Sequence, residues 1–379
     1  MKGHIRQQGK ETYAVVIDLG TDPLTGKRQQ RWHTVKGGKR DAQRHLAKLV
    51  NDLAEGRYVD PVKLTVADYL QRWLQDYARV AVRPTTFQSY GEIIRKHIIP
   101  VLGGLPLNKL QPVHVQHFYA DKLAGGLSAR TVRYIHAILH RALEQAVKWL
   151  LLPRNVADAV DPPKAQHKEM RPLDVAEVGR LLDAAAGDRL YALYLLAITT
   201  GMRQGELLGL QWPDVDLDAG TIMIRRTLQR TKEGGRVFQE PKTAKSRRLI
   251  QLSPQVVEAL REHRARQEQE RRFWGDRYQD HGLVFSQPAG QPIDKGNLLR
   301  RHFKPLLAQA GLPPIRFHDL RHTYATLALQ AGLHPKVVQE NLGHSTISMT
   351  LDTYSHVAPV LQRDAAQVVT NLILKTKRY

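Results

Sequence analysis

The segment FHDLRHTY, from Phe317 to Tyr324, joins residue types that bind phosphate and carry protons with residue types that pack in a core. His318 and Arg321 are three residues apart, so an α-helix would place both on one face. Leu320 and Tyr324 would then pack behind that face. The segment therefore predicts a helix that presents a proton carrier beside a cationic phosphate clamp.

The same segment is similar to the two-histidine helix of zinc hydrolases, with Asp319 in place of the usual glutamate between His318 and His322. An aspartate is short for the general base of such a site, and no clear third ligand segment follows. The chain has no cysteine, which excludes disulfides and thiolate metal sites. We therefore expect no metal cofactor and keep the zinc site as an alternative.

Two segments closer to the N-terminus carry basic residues suited to phosphate. In TTGMRQGELLGL, residues 199–210, Arg203 follows a glycine turn at the predicted start of a helix, where its guanidinium could bind two phosphate oxygens. The alternative is an ion pair with Glu206, three residues later. Residues 241–248, PKTAKSRR, form a basic turn in which Lys242 could protonate a leaving alkoxide. Lys245 in the same role and a merely solvated loop are the alternatives there.

Two segments near the C-terminus complete the set. His344 follows Gly343 at a predicted helix end, and Tyr354 lies in TLDTYSH, residues 350–356. A tyrosine hydroxyl can act as a nucleophile when a neighbouring base activates it. Taken alone, such a tyrosine is usually a half-buried surface residue. The prediction of a nucleophile therefore depends on the whole set of segments.

The charge balance indicates the partner. The chain has 57 Lys and Arg against 36 Asp and Glu, a formal net charge of +21. Such a surface attracts polyanions, and the counterions that DNA releases favour binding. The alternative is a surface that only keeps the chain in solution. No apolar run reaches the roughly 18 residues of a membrane helix, and the N-terminus lacks a secretory signal. We expect double-stranded DNA as the partner, no membrane, and a cytoplasmic protein associated with the nucleoid when it acts.

The stretch from Gly20 to Lys27 superficially resembles a phosphate-binding loop. Its glycines are separated by five residues instead of four, and Arg28 stands where Ser or Thr is required. The stretch is therefore predicted to be a hairpin turn, and no nucleotide cofactor is expected.

The sequence pattern predicts a mainly α-helical chain with small β-sheets, in three domains. Residues 1–58 carry a hairpin, a third strand before it and a helix from Lys39, which together form a three-stranded sheet plus a helix. Residues 64–152 are helical throughout, and residues 170–379 form an α+β domain with helices at 174–186 and 188–200 and strands at 221–224 and 247–252. Linkers are predicted at 58–61 and 153–172. The basic residues predicted to contact DNA are Arg28, Arg31, Lys36, Lys39, Arg40, Arg130 and Arg133. For those around the hairpin, a charged solvent-facing surface is the alternative. Arg141 is also expected to face outward.

Taken together and in this order, the motifs resemble the tyrosine recombinase (phage integrase) family. They are the Arg203 segment, the basic turn at 241–248, His318-x-x-Arg321, Gly343-His344 and Tyr354. The segments LGHS (342–345) and MTLDTYSH (349–356) are especially similar to integrases of temperate phages and integrative conjugative elements. The resemblance covers essentially the whole chain. It implies that residues 1–58 bind arm-type DNA sites, 64–152 bind core-type sites, and 170–379 are catalytic.

The resemblance also implies a role for each motif residue in a site-specific recombinase that needs neither metal nor ATP. Tyr354 would attack a DNA phosphate and form a 3′-phosphotyrosine with a free 5′-hydroxyl, with His318 as its base. Arg203 and Arg321 would bind the non-bridging oxygens while charge develops on them. The general acid for the leaving oxygen would be Lys242, with Lys245 as the alternative. His344 would hydrogen-bond the scissile phosphate.

The expected assembly follows from the same resemblance. Four cuts require a homotetramer on two DNA sites, and an excisionase and a host DNA-bending protein are further expected partners in integrating or excising a mobile element. After Tyr354, an amphipathic helix from Val360 to Ile373 is expected to dock on a neighbouring protomer or to pack within its own domain. A tyrosine-dependent topoisomerase and a catalytically inactive DNA-binding regulator are the alternative functions.

Overall fold

A computed structural model of the chain describes residues 3–21, 26–54, 64–165, 170–230, 235–239 and 247–354. The chain divides into two compact units, Met1–His167 and Lys168–Tyr379. The described residues form a mainly helical structure with small antiparallel sheets, which confirms the predicted fold class. None of their helices is both long enough and apolar enough to cross a membrane.

The first unit begins with a three-stranded antiparallel sheet that is covered on one face by a helix. The elements are β1 (Gly3–Gly9), β2 (Thr12–Thr21), β3 (Arg28–Lys36) and α1 (Lys39–Ala54), and the strand order is β1-β2-β3. Because side chains alternate along a strand, Val15 and Ile17 of β2 face the helix and pack against Ala42 and Leu49. The predicted hairpin, the strand before it and the helix from Lys39 are confirmed.

The rest of the first unit is a helical bundle. Its helices are α2 (Val66–Trp73), α3 (Arg79–Ala81), α4 (Pro84–Ile93), α5 (Ile99–Leu102), α6 (Pro112–Ala124) and α7 (Ala129–Lys148). Two π-helical turns, Leu74–Ala78 and Ile94–Ile98, run on from α2 and α4. Thr65 and Asp68 form a capping box at the start of α2, and Ser128 caps α7.

The second predicted linker is wrong in its first part. Residues 153–172 were predicted to carry too little apolar content to pack, yet a 3₁₀ helix, Val156–Ala159, lies on the helical bundle with Val156 and Val160 buried in its core. Asn155 fixes this turn because its side chain accepts from the Ala157 backbone N–H and donates to the carbonyl of His140. The first predicted linker, 58–61, lies outside the described residues, so the division of this unit into two domains stays a prediction.

The second unit is a helical layer around two small sheets. Its helices are α8 (Val175–Ala185), α9 (Tyr191–Thr200), α10 (Gln204–Leu208), α11 (Pro254–Trp274), α12 (Lys295–Asn297), α13 (Lys304–Gln309), α14 (Asp319–Gln330), α15 (Pro335–Leu342) and α16 (Ile347–Tyr354). The strands are β4 (Val215–Asp216), β5 (Thr221–Ile224), β6 (Thr227–Arg230), β7 (Arg236–Gln239) and β8 (Arg248–Gln251), which pair as β4-β5-β8 and β6-β7. The helices and strands predicted for this region are confirmed to within a few residues.

Helix α9 positions the candidate site. Its sequence, YALYLLAITT, is apolar nearly all round, so it is buried at the centre of the unit and contacts both α11 and α14. A smaller core cluster joins α14, α15 and α16. The C-terminus of α9 and the last three described helices are thereby held together.

Candidate active site

A glycine turn at the end of α9 brings two parts of the chain into close contact. Gly201 ends the helix in the left-handed conformation, with φ of 63°. A Cβ atom at this position would lie 2.5 Å from the Tyr324 ring and 2.8 Å from the Leu342 side chain. Only glycine fits, and the turn leads directly to Arg203, which precedes the first residue of α10.

Arg203 forms the predicted ion pair and still reaches solvent. Its Nη1 lies 2.8 Å from Oε1 of Glu206, and its Nη2 donates to the carbonyl of Gly343 at 3.1 Å. The arginine side chain remains 36% exposed, whereas the Glu206 side chain is buried. The ion pair, given above as the alternative to phosphate binding, therefore holds the guanidinium in place at the edge of the site.

Arg321 is buried directly behind this position. Its Nη1 donates to the carbonyl of Gly201 at 2.8 Å and its Nη2 to the carbonyl of Leu342 at 2.7 Å. These carbonyls lie at the C-terminal ends of α9 and α15, where the helix dipole favours a cation. Burial and the nearby Arg203 lower the pKa of Arg321 to about 9, so the side chain is still charged at pH 7.

A buried ion-pair network links Arg203 to Arg248 through Glu206. Glu206 accepts from Arg203 and, at 2.8 and 3.2 Å, from both terminal nitrogens of Arg248. Arg248 also donates to the carbonyl of Asn341 at 2.6 Å. Burial alone would raise the pKa of Glu206, but Arg248 and then Arg203 lower it to about 2. Arg248, the last residue of the basic segment 241–248, was not predicted to belong to the site.

Tyr354 ends α16 and is buried in the same subunit. Only 3% of it is exposed, and it packs in the core cluster with Tyr324, Leu329 and Leu342. Burial raises the pKa of Tyr354 to about 12, and the positive charge of Arg321 opposes this rise. The described residues thus bring the predicted nucleophile next to the predicted phosphate clamp within one chain.

The partner of the tyrosine hydroxyl differs from the predicted one. The Tyr354 hydroxyl lies 2.8 Å from Nδ1 of His322. His318, which was predicted to be the base, lies one helical turn earlier and contacts His322 edge to face, with ring centroids 5.0 Å apart. The assignment of His318 as the base stays a prediction; it was based on the i,i+3 spacing of His318 and Arg321, and His322 was considered only as a zinc ligand.

His344 lies close enough to Arg321 and Arg203 to feel the charge of both. Its Nδ1 lies 2.9 Å from the hydroxyl of Thr350, and its carbonyl accepts from Gln339. Burial and the charges of Arg321 and Arg203 lower the pKa of His344 to about 4. The imidazole is therefore neutral at pH 7.

The remaining predicted elements of the site are not all described. Lys242 and Lys245, the two candidates for the general acid, lie outside the described residues, as does the amphipathic helix expected after Tyr354. Within the described ranges, no three His, Cys, Asp or Glu side chains are grouped as ligands for a metal ion.

The basic residues predicted to bind DNA in the first unit are only partly available. Arg28 forms an ion pair with Asp18. Arg31 pairs across the sheet with Ile17 and so lies on the face that carries α1. Arg28 is nevertheless exposed, as are Lys36, Lys39, Arg40, Arg130 and Arg133.

Two findings on the first unit were not predicted. Trp32 is 54% exposed on the open face of the sheet, and the Arg6 guanidinium lies 5.5 Å from its ring centre. Arg141, expected to face outward, instead lies over Tyr90 and donates to its hydroxyl.

Comparison with known proteins identifies the family. A family model described as the phage integrase family matches residues 171–360, and one for the phage integrase N-terminal SAM-like domain matches residues 65–123. The chain is 32% identical to a tyrosine recombinase XerC-like protein of Caldanaerobacter subterraneus subsp. tengcongensis, over 97% of this chain and 98% of that one.

The chain belongs to the phage integrase family. It is a tyrosine recombinase, a site-specific recombination enzyme. This recombinase is also 27% identical to the ICEBs1 integrase of Bacillus subtilis, over 95% of this chain and 97% of that one. These matches do not support the topoisomerase or the inactive regulator.

Solved structures agree in fold. The Tn1549 transposon integrase in complex with a circular intermediate DNA superimposes with a TM-score of 0.67 at 23% identity, covering 77% of the recombinase and 95% of that chain. A lambda integrase tetramer bound to a Holliday junction superimposes with a TM-score of 0.57 at 19% identity, covering 92% and 94%.

Proposed function

We propose that this recombinase cleaves and rejoins double-stranded DNA through a 3′-phosphotyrosine on Tyr354, and so integrates or excises a mobile element. One observation carries the proposal: the Tyr354 phenol is close enough to Arg321 for the guanidinium charge to act on its pKa, Arg203 acts on Arg321 in the same way, and Arg203 reaches solvent. A phosphate that entered from solvent would contact Arg203 first, and Arg321 and the phenol, each only 3% exposed, would have to be uncovered for it.

The charges explain how the phosphate would be activated. Attack at phosphorus concentrates negative charge on the non-bridging oxygens, and two fixed guanidinium groups stabilise that charge more in the transition state than in the ground state. His344, neutral at pH 7, would donate a hydrogen bond to the same phosphate. The departing 5′-oxygen would take its proton from Lys242, or from Lys245 in the alternative assignment.

The intermediate explains why no nucleotide would be consumed. The phosphotyrosine ester keeps the free energy of the broken phosphodiester, so attack by a 5′-hydroxyl restores a DNA strand at nearly equal free energy. A full exchange needs four such cuts and therefore four active tyrosines. A homotetramer on two DNA sites meets this need, and the lambda integrase tetramer on a Holliday junction supports the same assembly here.

The first unit would supply the DNA-binding surfaces. Residues 1–58 would bind arm-type sites and residues 64–152 core-type sites, leaving 170–379 for catalysis. The exposed cations Lys36, Lys39, Arg40, Arg130 and Arg133 support this division, and so does Trp32 on the open face of the sheet. An excisionase and a host DNA-bending protein would set the direction of recombination. The enzyme would act on DNA in the bacterial cytoplasm.

The proposal is tested with the full chain and its own attachment site, mapped from the direct repeats that flank the element. A nicked suicide substrate traps the covalent adduct, because the strand beyond the cut is lost and religation stops. We expect a protein–DNA adduct with the wild type in EDTA and without ATP, and none with Tyr354→Phe at unchanged DNA affinity. An adduct in the Phe variant would overturn the assignment of the nucleophile.

A further inference from the structure

The nucleophile proposed above has a hydrogen-bond partner to which nothing so far assigns a function. His322 lies on α14, and its Nδ1 is 2.8 Å from the Tyr354 hydroxyl, which is ordinary hydrogen-bond distance. The two rings are tilted by 55° with centroids 5.8 Å apart. Since both side chains are at least half-buried, the contact is shielded from bulk water.

The surroundings of His322 favour the neutral ring. Burial and the neighbouring His318 lower the pKa of His322 to about 4, and Arg316 and Arg321 act in the same direction, while Asp319 opposes them. A neutral imidazole has one nitrogen without a proton. If that nitrogen is Nδ1, it accepts the hydrogen bond from the tyrosine hydroxyl, which is itself protonated at pH 7.

The tyrosine needs such a partner. With a pKa of about 12, roughly one molecule in 10⁵ would carry the phenolate at pH 7. A base that removes the proton during the attack typically accelerates a reaction by about 10²–10⁴-fold. The ring of His318 lies edge to face against the ring of His322, and the tyrosine hydroxyl lies at hydrogen-bond distance from His322.

We propose that His322 accepts the proton of Tyr354 as the phenolic oxygen attacks phosphorus. This inference rests on the function proposed above. In the step, the O–H bond of Tyr354 breaks and its proton goes to Nδ1, a bond forms between the phenolic oxygen and phosphorus, and the bond from phosphorus to the 5′-oxygen breaks. The 5′-oxygen takes a proton from the lysine of the basic turn. Religation runs the same transfers in reverse, and the His322 imidazolium returns its proton to Tyr354.

Two substitutions separate proton acceptance from positioning. His322→Asn keeps a side-chain oxygen that can accept a hydrogen bond but cannot take up a proton, whereas His322→Ala removes both functions. We expect each to slow single-turnover adduct formation at pH 7 by about 10²-fold or more, at unchanged DNA affinity. The rate of the Asn variant should rise about tenfold per pH unit, since hydroxide must then remove the proton. His281→Ala, which alters an exposed histidine of the same unit, is the matched control.

A more acidic nucleophile gives the decisive readout. When a fluorinated tyrosine replaces Tyr354, the phenol ionises without help. The ratio of the adduct-formation rates with His322 and with His322→Asn should then be at least tenfold smaller than with the natural tyrosine. A purely structural role would leave that gap unchanged, and this result would overturn the inference, as would wild-type rates in the Asn variant. If the wild type itself forms no adduct, the proposed function fails and this inference fails with it. Should the Ala variant not fold, the Asn variant carries the test alone.

Discussion

Replacing Arg248 by methionine removes the centre of the buried ion-pair network without changing the length of the side chain greatly. The guanidinium is 7% exposed and donates hydrogen bonds to Glu206 through both terminal nitrogens and to the carbonyl of Asn341. Among the described residues, the variant would leave Arg203 as the cation paired with the buried Glu206 carboxylate. We expect the second unit to lose about 3–5 kcal/mol of stability at pH 7, because breaking a buried pair leaves a charge uncompensated.

The pKa of Glu206 gives an independent check of that magnitude. Its pKa falls from 4.5 to about 2 on folding, which at about 1.36 kcal/mol per unit corresponds to about 3 kcal/mol. For a carboxyl whose pKa is depressed, this stabilisation is present above pH 4.5 and is lost as the pH falls towards 2. Arg248 lowers the pKa of Glu206 more than Arg203 does. The difference in unfolding free energy between wild type and variant should therefore become smaller as the pH falls from 4.5 towards 2.

Thermal and urea unfolding measure the effect, with Arg261→Met as the control. Arg261 pairs with Asp218 at the surface, where the carboxylate is 97% exposed, and such pairs contribute less than about 1 kcal/mol. A loss of 3 kcal/mol lowers the Tm of a unit of this size by roughly 6–12 °C. Equal, small losses of stability in the two variants would refute the reasoning. So would a difference in unfolding free energy between wild type and Arg248→Met that is the same at pH 7 and pH 3.

Three further changes have defined outcomes. Gly201→Ala should cost on the order of 3 kcal/mol in urea unfolding, because its Cβ would strike Tyr324 and the backbone is left-handed. Tyr69→Phe should cost about 1 kcal/mol in the thermal transition of the first unit, since the buried hydroxyl donates to a backbone carbonyl of α7. Burial and nearby cations lower the pKa of His322 and His344 from 6.5 to about 4. The unfolded chain therefore binds protons that the folded one does not, and stability should fall as the pH drops from 6.5 to 4, by on the order of 1 kcal/mol per histidine after discounting for solvent exposure. A flat profile in acid titration would contradict this.

The sequence located those features of the site that depend on short spacing. Arg203 after a glycine turn, and Arg321 on a helix whose apolar residues pack behind it, are local patterns. In a regular helix, residues with such spacing lie on one face. In the structure Arg203 directly precedes α10 and Arg321 lies on α14, as expected. The order of elements in the second unit followed from the same kind of reasoning, because the apolar periods of α8 and α9 and the β-branched runs of β5 and β8 are each contained in one segment.

Contacts between distant segments could not be predicted in this way. Arg248 and Glu206 are 42 residues apart, and His322 and Tyr354 are 32 apart. No spacing rule links such pairs, since their approach depends on how α9, α14 and α15 pack. The packing of Val156 on the helical bundle was missed for a related reason: a single short turn with two apolar residues has no period to detect.

The ends of α9 and α15 have a consequence for how strongly the site can bind an anion. Arg321 is already satisfied in part by two peptide oxygens before any substrate arrives, so an incoming anion gains less affinity than a bare cation would offer. The same oxygens keep the side chain in place after the anion leaves, so no reorganisation is needed for the next encounter. An enzyme that must release every strand it seals turns over faster when its site binds the phosphate with moderate affinity.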